Sequence, residues 1–432
     1  MLGLPFVYWV LWTGALINRL GGFIYPFLAL YLTHERGFSV EQAGGVVSLY
    51  GLGSIVASVM GGVMADRIGR RPTLLLASTL GAAAMLQLGL AREPWHIAAS
   101  TFLLGLLTDA FRPALQASVA DVVAPEDRIR AYGYLYWAVN LGFAGAAVIA
   151  GLLAKSNFAL LFAGDAATTL LFGLLVFLRV PETRPGSLAA VPLGRERSSQ
   201  PGQSAAPMSP VAPGRIDAPY RDKVLVTFLL TQLLVAIVFF QSAATLPVDM
   251  CAHGRTEAQY GGLIAINGVL IVFLQPFATR LVQRYRRAHV LAVGAALGGL
   301  GFGLTGLGHS VLFYGFTIVV WTLGEIAFSP VAPAVVADLA PRELRGGYQG
   351  AFTMTWGIAA CLAPMLGSVA LGRGGSWILW GGCAALGLLA AGLHLLIAPA
   401  RRHRLMALRT AEDDPVARED GLGSVIASVL EA

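Results

Sequence analysis

Apolar residues fill this chain in stretches of about twenty, separated by short polar joints rich in arginine. A helix needs roughly 20 mostly apolar residues to cross a bilayer, and the pattern predicts twelve of them. In the first half they cover residues 8–33, 42–65, 73–91, 96–120, 132–154 and 158–178. In the second half they cover 223–247, 257–280, 288–308, 310–337, 347–371 and 375–398. The chain therefore divides into an N-terminal six-helix bundle (1–180), a linker (181–222), a C-terminal six-helix bundle (223–398) and a tail (399–432). The linker holds Pro181, Pro185, Pro192, Pro201, Pro207, Pro210, Pro213 and Pro219 among Gly, Ser and Arg, a flexible composition. The polar tail ends in GLGSVIASVLEA, which fits a short amphipathic helix.

Composition agrees. Hydrophobic residues make up 56% and charged residues 12%, where a soluble domain is nearer a quarter charged. Mean hydropathy is +0.68. The net charge of +6 could suggest nucleic acid, but its distribution gives another meaning. Arg67, Arg70, Arg71, Arg128, Arg130, Arg280, Arg284, Arg286, Arg287, Arg342 and Arg345 all fall in joints on one side, together with the linker and tail. Only Arg36, Arg92, Lys155, Arg255 and Arg373 fall on the other. Positive joints stay inside, so the arginine-rich side and both termini are expected in the cytoplasm, in the cytoplasmic membrane. The basic excess is a topology signal and not a nucleic-acid patch. Three cysteines at irregular spacing and seven scattered histidines suggest neither disulfides nor a metal site. No nucleotide-binding glycine loop or nucleophile–base pair is present, which argues against an enzyme and against ATP as the driving force.

The halves are copies. AFRPALQASVAD (110–121) matches AFSPVAPAVVAD (327–338) at seven of twelve positions, 217 residues apart. At the same offset Arg67 meets Arg284, Arg70 meets Arg287, Arg128 meets Arg345 and Gly133 meets Gly350. The fold class is therefore all-α integral membrane, with twelve transmembrane helices as two pseudo-symmetric six-helix bundles. Proteins built this way bind substrate near the bilayer midplane, between the halves.

The joint between the second and third segments reads GGVMADRIGRRPT (61–73). It resembles the signature loop of the major facilitator superfamily, with Gly62, Asp66, Arg67, Gly69, Arg70 and Arg71 in place. In its own right, Gly62 lets helices approach closely and Gly69 permits a tight turn. Asp66 can bind the positive end of a helix, for which the eleventh, starting near Gly347, is the candidate. Arg70 can pair with Asp121. The resemblance implies that these residues, with Arg128, latch the halves on the cytoplasmic side, and that alternating access breaks and remakes the latch. The second-half copy has Gln283 opposite Asp66, which predicts an asymmetric latch. Within the superfamily the chain resembles the twelve-helix drug:proton antiporters, through WTLGEIAFSP (321–330), YWAVN (136–140) and LPVDM (246–250). That likeness implies a proton-coupling role for Glu325. The chain departs from the pattern at Leu135, Ala243, Ala146 and Thr101, where acids, a proline and an arginine would stand.

The charges inside the membrane are the most informative residues. Arg19, Asp109, Arg112 and Glu325 lie near the middles of the first, fourth, fourth and tenth segments. Facing lipid, each would cost about 2.5–3.5 kcal/mol on the insertion scale. They are therefore expected to face one another or a wet cavity. The resemblance puts all four on cavity-lining helices. Asp109 and Arg112, three apart, share a helix face, and with Arg19 they form a candidate network. Glu325 has no basic neighbour in its helix, while Trp321 and Phe328 share its face. An acid in such surroundings holds its proton more tightly and can exchange it near neutrality, as a coupling site must. Asp165, on a helix that is peripheral in the family, and Asp249, at a helix mouth, are expected to be unimportant and solvated, respectively. Candidate substrate contacts are Asn18, Tyr25, Tyr136, Asn140, Gln241, Asn267, Trp321 and Trp356. Aromatic rings with one acid suit amphiphilic, often cationic, compounds.

The expected activity is proton-coupled export of amphiphilic small molecules, with Glu325, Asp109, Arg112 and Arg19 in coupling. No cofactor is expected, the proton gradient supplying the drive, and the partners are substrate, protons and lipid, with the protein a monomer. The alternative is a symporter or uniporter for a nutrient or anionic metabolite held by the two arginines. A membrane scaffold without transport has no positive feature in its favour.

Overall fold

The computed structural model describes residues 3–22, 24, 28, 31–32, 35–38, 40–154, 158–185 and 218–413. Among these there is no strand. The first half contains α1 (Phe6–Leu20), α2 (Val40–Arg67), α3 (Arg70–Leu90), α4 (Pro94–Thr108), α5 (Phe111–Val122), α6 (Arg128–Ala154) and α7 (Phe158–Arg179). After the short turn α8 (Ala218–Arg221), the second half contains α9 (Lys223–Ala244), α10 (Leu246–Ala252), α11 (Glu257–Val282), α12 (Arg287–Leu304), α13 (Val311–Phe328), α14 (Val331–Leu339) and α15 (Arg345–Leu396). The chain ends in α16 (Ala398–Asp413).

The 217-residue repeat sets where helices begin. Phe6 and Lys223, Arg70 and Arg287, Pro94 and Val311, and Arg128 and Arg345 all open helices at that spacing. The 52-residue α15 contains two spans. They meet at a kink at Gly375, whose φ of 67° only glycine adopts freely. Gly375 stands 217 residues after Phe158, where α7 begins.

Proline explains the break in each fourth segment of the repeat. Pro113 has no N–H for the carbonyl of Asp109, which instead accepts from Arg112 N at 3.2 Å. The predicted helix over 96–120 is thus two pieces, α4 and α5. The equivalent Pro330 separates α13 from α14, and the freed carbonyl of Ile326 accepts from Gln275 Nε2 at 3.2 Å.

Eight of the described helices are long and apolar enough to cross a membrane, and together with the family match reported below they make this a multi-pass membrane protein. Exposed rings and aliphatic chains such as Leu90, Phe273, Phe277, Leu312 and Trp377 cover its outer surface, as a lipid-facing surface requires.

Pattern did not predict α16. It docks on the second half: Arg404 lies 3.5 Å from Asp222, and Arg401 donates to the carbonyl of His394 at 2.7 Å. Burial lowers the pKa of Arg401 to about 10. Residues 186–217 of the linker and the amphipathic stretch at the C-terminus lie outside the described residues.

Candidate functional site

The arginine-rich face is closed by contacts between the halves. Asp66, at the end of α2, accepts from the backbone N–H groups of Gly346 (2.8 Å) and Gly347 (2.6 Å) at the start of α15. It also lies 3.3 Å from Arg70. The two helices can meet because Gly62 has no side chain: a Cβ there would stand 2.5 Å from the carbonyl of Gly346. Gly69, at φ 115°, makes the turn into α3. Glu182 caps that helix, accepting from Arg70 N at 2.9 Å and Arg71 N at 3.2 Å. The Arg71 side chain reaches the carbonyl of Phe177, and that of Arg184 the carbonyl of Arg67.

Beside this clamp stand two triads. Asp121 is held by Arg70 at 2.9 Å and by Arg345 at 2.6 Å. Asp338 is held by Arg128 at 2.6 Å and by Arg287. The 217-residue offset converts one triad into the other. Each acid binds an arginine of its own half and one from the opposite half. The asymmetry predicted from Gln283 is therefore confined to the Asp66 clamp, and the ion-pair core of the latch is two-fold. Asp338, Arg287, Arg345 and Glu182 had no role assigned from the sequence, although the repeat already related the first three to Asp121, Arg70 and Arg128.

Beyond the latch the halves separate around a cavity of about 690 Å³. Its wall runs from Asn18, Arg19, Tyr50, Ser54, Thr108, Asp109 and Arg112 in the first half to Phe240, Thr353, Trp356, Gly357 and Pro364 in the second. Along α2, the stretch from Ser54 in the cavity to Asp66 in the latch is about 18 Å.

Three of the four intramembrane charges meet here, as expected. Asp109 is 4% exposed and pairs with Arg112 at 2.9 Å. It also accepts from Ser54. The Arg19 guanidinium packs 6.0 Å from the ring of Phe111, and its side chain makes no hydrogen bond or ion pair among the described residues. Asp165 does not behave as a peripheral residue. It is 5% exposed, lines the same cavity and accepts from the backbone N–H of Ile24 at 3.2 Å. The sequence signal for it was an acid within a spanning segment, discounted because that helix is peripheral in the family.

Glu325 stands apart and does not line this cavity. Tyr136 Oη, from α6 in the opposite half, donates to one carboxylate oxygen at 2.5 Å. Asn267 Nδ2, from α11, donates to the other at 2.8 Å and to Thr322 at 3.1 Å. Asn140 donates to the carbonyl of Tyr136 at 2.9 Å. The next residue of α6, Trp137, ties that helix through Nε1 to the carbonyl of Val272 in α11 at 2.8 Å.

The expected substrate contacts thus divide into three groups. Asn18, hydrogen-bonded to Thr169 at 2.9 Å, and Trp356, edge-on to Phe240, line the cavity. Tyr136, Asn140 and Asn267 surround Glu325 instead. Gln241 and Trp321 are packing residues. Gln241 is 2% exposed and bonds the carbonyls of Ile237 and Ala363. Trp321 is 3% exposed and stacks on Phe302. Tyr25 lies outside the described residues. Asp249 contradicts its expectation of being solvated. It is 0% exposed and accepts from Tyr314 at 3.1 Å and from Ser376.

Two duplicated helical bundles, latched at one face around a polar cavity, define a class: membrane transporters that expose a central site to each side in turn. The sequence profile of the Major Facilitator Superfamily matches residues 11–251 and again 228–429, and the chain belongs to that family. It is a transporter and not an enzyme. It is 26% identical over 363 residues to a Na(+), Li(+), K(+)/H(+) antiporter of Planococcus maritimus, covering 79% of this chain and 84% of that one. It is 26% identical over 362 residues to the multidrug resistance protein MdtH of Enterobacter sp. (strain 638), covering 84% and 83%. Among solved structures, a bacterial homologue of the iron transporter ferroportin in the outward-facing state superposes with a TM-score of 0.71. That match has 17% identity and covers 91% of this chain and 100% of the other.

Proposed function

We propose that the protein exports amphiphilic small molecules in exchange for protons, with Glu325 carrying the proton. One observation carries this reading. Glu325 belongs to the second half, yet one of its carboxylate oxygens is held by Tyr136 of the first. As a carboxylate it accepts charge-assisted hydrogen bonds, which are roughly twice as strong as neutral ones. Proton uptake weakens that tie. The protonation state of one side chain therefore biases whether the halves stay together at this seam, and a bias between two conformations is what coupling requires.

Substrate occupies the cavity on the other side of the axis, between Asn18, Asp109, Arg112 and Trp356. The Asp66 clamp and the two triads gate the arginine-rich face, which lies in the cytoplasm of a cell whose cytoplasmic membrane holds the protein as a monomer with both termini inside. Similarity to an antiporter and to a multidrug resistance protein supports exchange over uniport.

A second reading is favoured by Arg19, a cavity guanidinium without an ion-pair partner among the described residues. Arg112 is paired with Asp109 and Asp165 lines the same cavity, so Arg19 is the cation available to a substrate carboxylate or phosphate moving as a symport or uniport. Purified protein in vesicles with an imposed pH gradient separates the two. Antiport moves substrate opposite to the proton flow and symport moves it with that flow. Under the first reading Glu325→Gln abolishes gradient-driven movement and leaves substrate binding intact. Undiminished gradient-driven export by that variant would refute the assignment.

A further inference from the structure

On the face opposite the latch, the structure brings together two histidines that lie 56 residues apart. Asp249 on α10 and His253, which caps that helix, are one turn apart, and His309 comes from the joint between α12 and α13. A carboxylate oxygen and one nitrogen from each imidazole lie within 4.8 Å of one another. The two rings stack at 3.6 Å, 7° from parallel.

We propose that Asp249, His253 and His309 form a binding site for a divalent transition-metal ion such as Zn²⁺, accessible from the face opposite the latch. The donor set argues for that class. Two imidazole nitrogens and one carboxylate suit zinc, nickel or copper, whereas magnesium and calcium take oxygen ligands.

The surroundings are arranged as around metal ligands. A metal-binding histidine usually gives its other ring N–H to a carbonyl or carboxylate. His253 Nδ1 lies 2.8 Å from the carbonyl of Asp249, which leaves Nε2 as its acceptor. Tyr314 and Ser376 fix the Asp249 carboxylate, one on each oxygen. Each of these oxygens keeps a lone pair. The carboxylate is fully buried while the His253 side chain is 30% exposed, so an ion can enter past the imidazoles. Zinc–nitrogen distances of about 2.0–2.1 Å require only rotation of the imidazoles toward the carboxylate. Arg255 lies close to Tyr314, and its charge opposes a cation there and weakens the site.

An ion here acts on transport through α9. The site sits at the outer end of the cavity-lining seventh segment, where Thr245 bonds Gln241 at 2.7 Å. Bound metal braces α10 against the joint before α13, while Ser376 joins the carboxylate to the twelfth span. The expected result is slower cycling with metal on this face. The site does not depend on the proton-coupled reading, because its three ligands take no part in that proposal.

The test is titration of the full-length protein, purified in detergent through a tag without histidine, with Zn²⁺ by calorimetry and with Co²⁺ by its visible absorption. The proposal expects one equivalent of each ion, with a Co²⁺ spectrum of nitrogen ligation. His253→Ala and His309→Ala should each weaken binding at least about tenfold, while the exposed His289→Ala leaves it unchanged. Thermal unfolding of each variant in chelator shows whether the fold is kept, and His253→Gln substitutes if His253→Ala unfolds. Absence of a saturable equivalent in the wild type, or equal affinity in the folded double variant, would overturn the proposal.

Discussion

Along α2 and α15 the halves pack closely near the latch, where Gly62 meets Gly346, and open onto the cavity around Tyr50 and Ser54, while between α6 and α11 they are tied by hydrogen bonds. These two seams are copies of each other. At the 217-residue offset Tyr50 corresponds to Asn267, Thr108 to Glu325, and Tyr136 to Thr353, while Asn140 corresponds to Gly357. On the cavity side the four positions hold Tyr50, Thr108, Thr353 and Gly357, all lining the opening. On the tied side, Tyr136 and Asn267 donate to Glu325, and Asn140 donates to the backbone carbonyl of Tyr136. A two-fold frame therefore supports two different jobs through four substitutions. Small or singly polar residues leave room for a guest, and an acid with fitted donors ties the halves together by hydrogen bonds.

The latch supplies the control for this comparison, because there the repeat kept both copies. Removing either triad acid leaves two arginines facing each other, and breaking a buried ion pair costs about 3–5 kcal/mol. Asp121→Asn is expected at about 3 kcal/mol, the low end of that range. Asp338→Asn should cost less, because its Arg287 is 28% exposed whereas Arg70 is 1% exposed. Thermal unfolding in detergent measures both, and a near-zero effect for Asp121→Asn would break the two-fold account of the latch.

The seams can be exchanged directly. Glu325→Thr with Tyr136→Thr installs the cavity-side residues on the tied side. Gradient-driven transport should be abolished, as in Glu325→Gln, because the proposed proton carrier and its tie to Tyr136 are both gone. Vesicle flux with an imposed pH gradient reads this out. Tyr136→Phe alone removes one of two donors, with an expected loss of about tenfold. If Tyr136→Phe transports normally, the cross-half tie has no part in coupling. The smallest effect distinguishes two tryptophans. Trp356→Ala should weaken binding of an amphiphilic cation by a few-fold, in line with about 0.5–1 kcal/mol for a ring–cation contact. Trp321→Ala should lower stability without changing affinity, because it packs against Phe302 and not against the cavity.

The sequence made the repeat, the two bundles and the Asp66 contact with the start of α15 legible, because each depends on spacing within one segment or on register between copies. The meeting of Arg19, Asp109 and Arg112 was legible for a similar reason: a charge in a membrane must turn inward. What escaped was which inward direction. Asp109 and Glu325 look like partners on equivalent helices, yet at the repeat offset they differ by one position, and one residue turns a helix by about 100°. Even so, Thr108, the equivalent of Glu325, lines the cavity beside Asp109, so what separates the two acids is the seam each faces: Tyr136 and Asn267 fill the one beside Glu325. Asp249 and Asp165 were misjudged because their partners, Tyr314, Ser376 and the backbone at Ile24, come from distant segments that periodicity does not relate.

The measurement that bears most directly on the division between the seams is proton release on substrate binding. It uses weakly buffered detergent solution and compares wild type with Glu325→Gln, substrate affinity being followed in parallel. Wild-type protein should release protons as substrate binds. The variant should bind substrate with affinity within about threefold, well under the tenfold that 1.4 kcal/mol represents, and release none. Proton release persisting in Glu325→Gln would place the proton in the cavity with Asp109 and contradict the assignment.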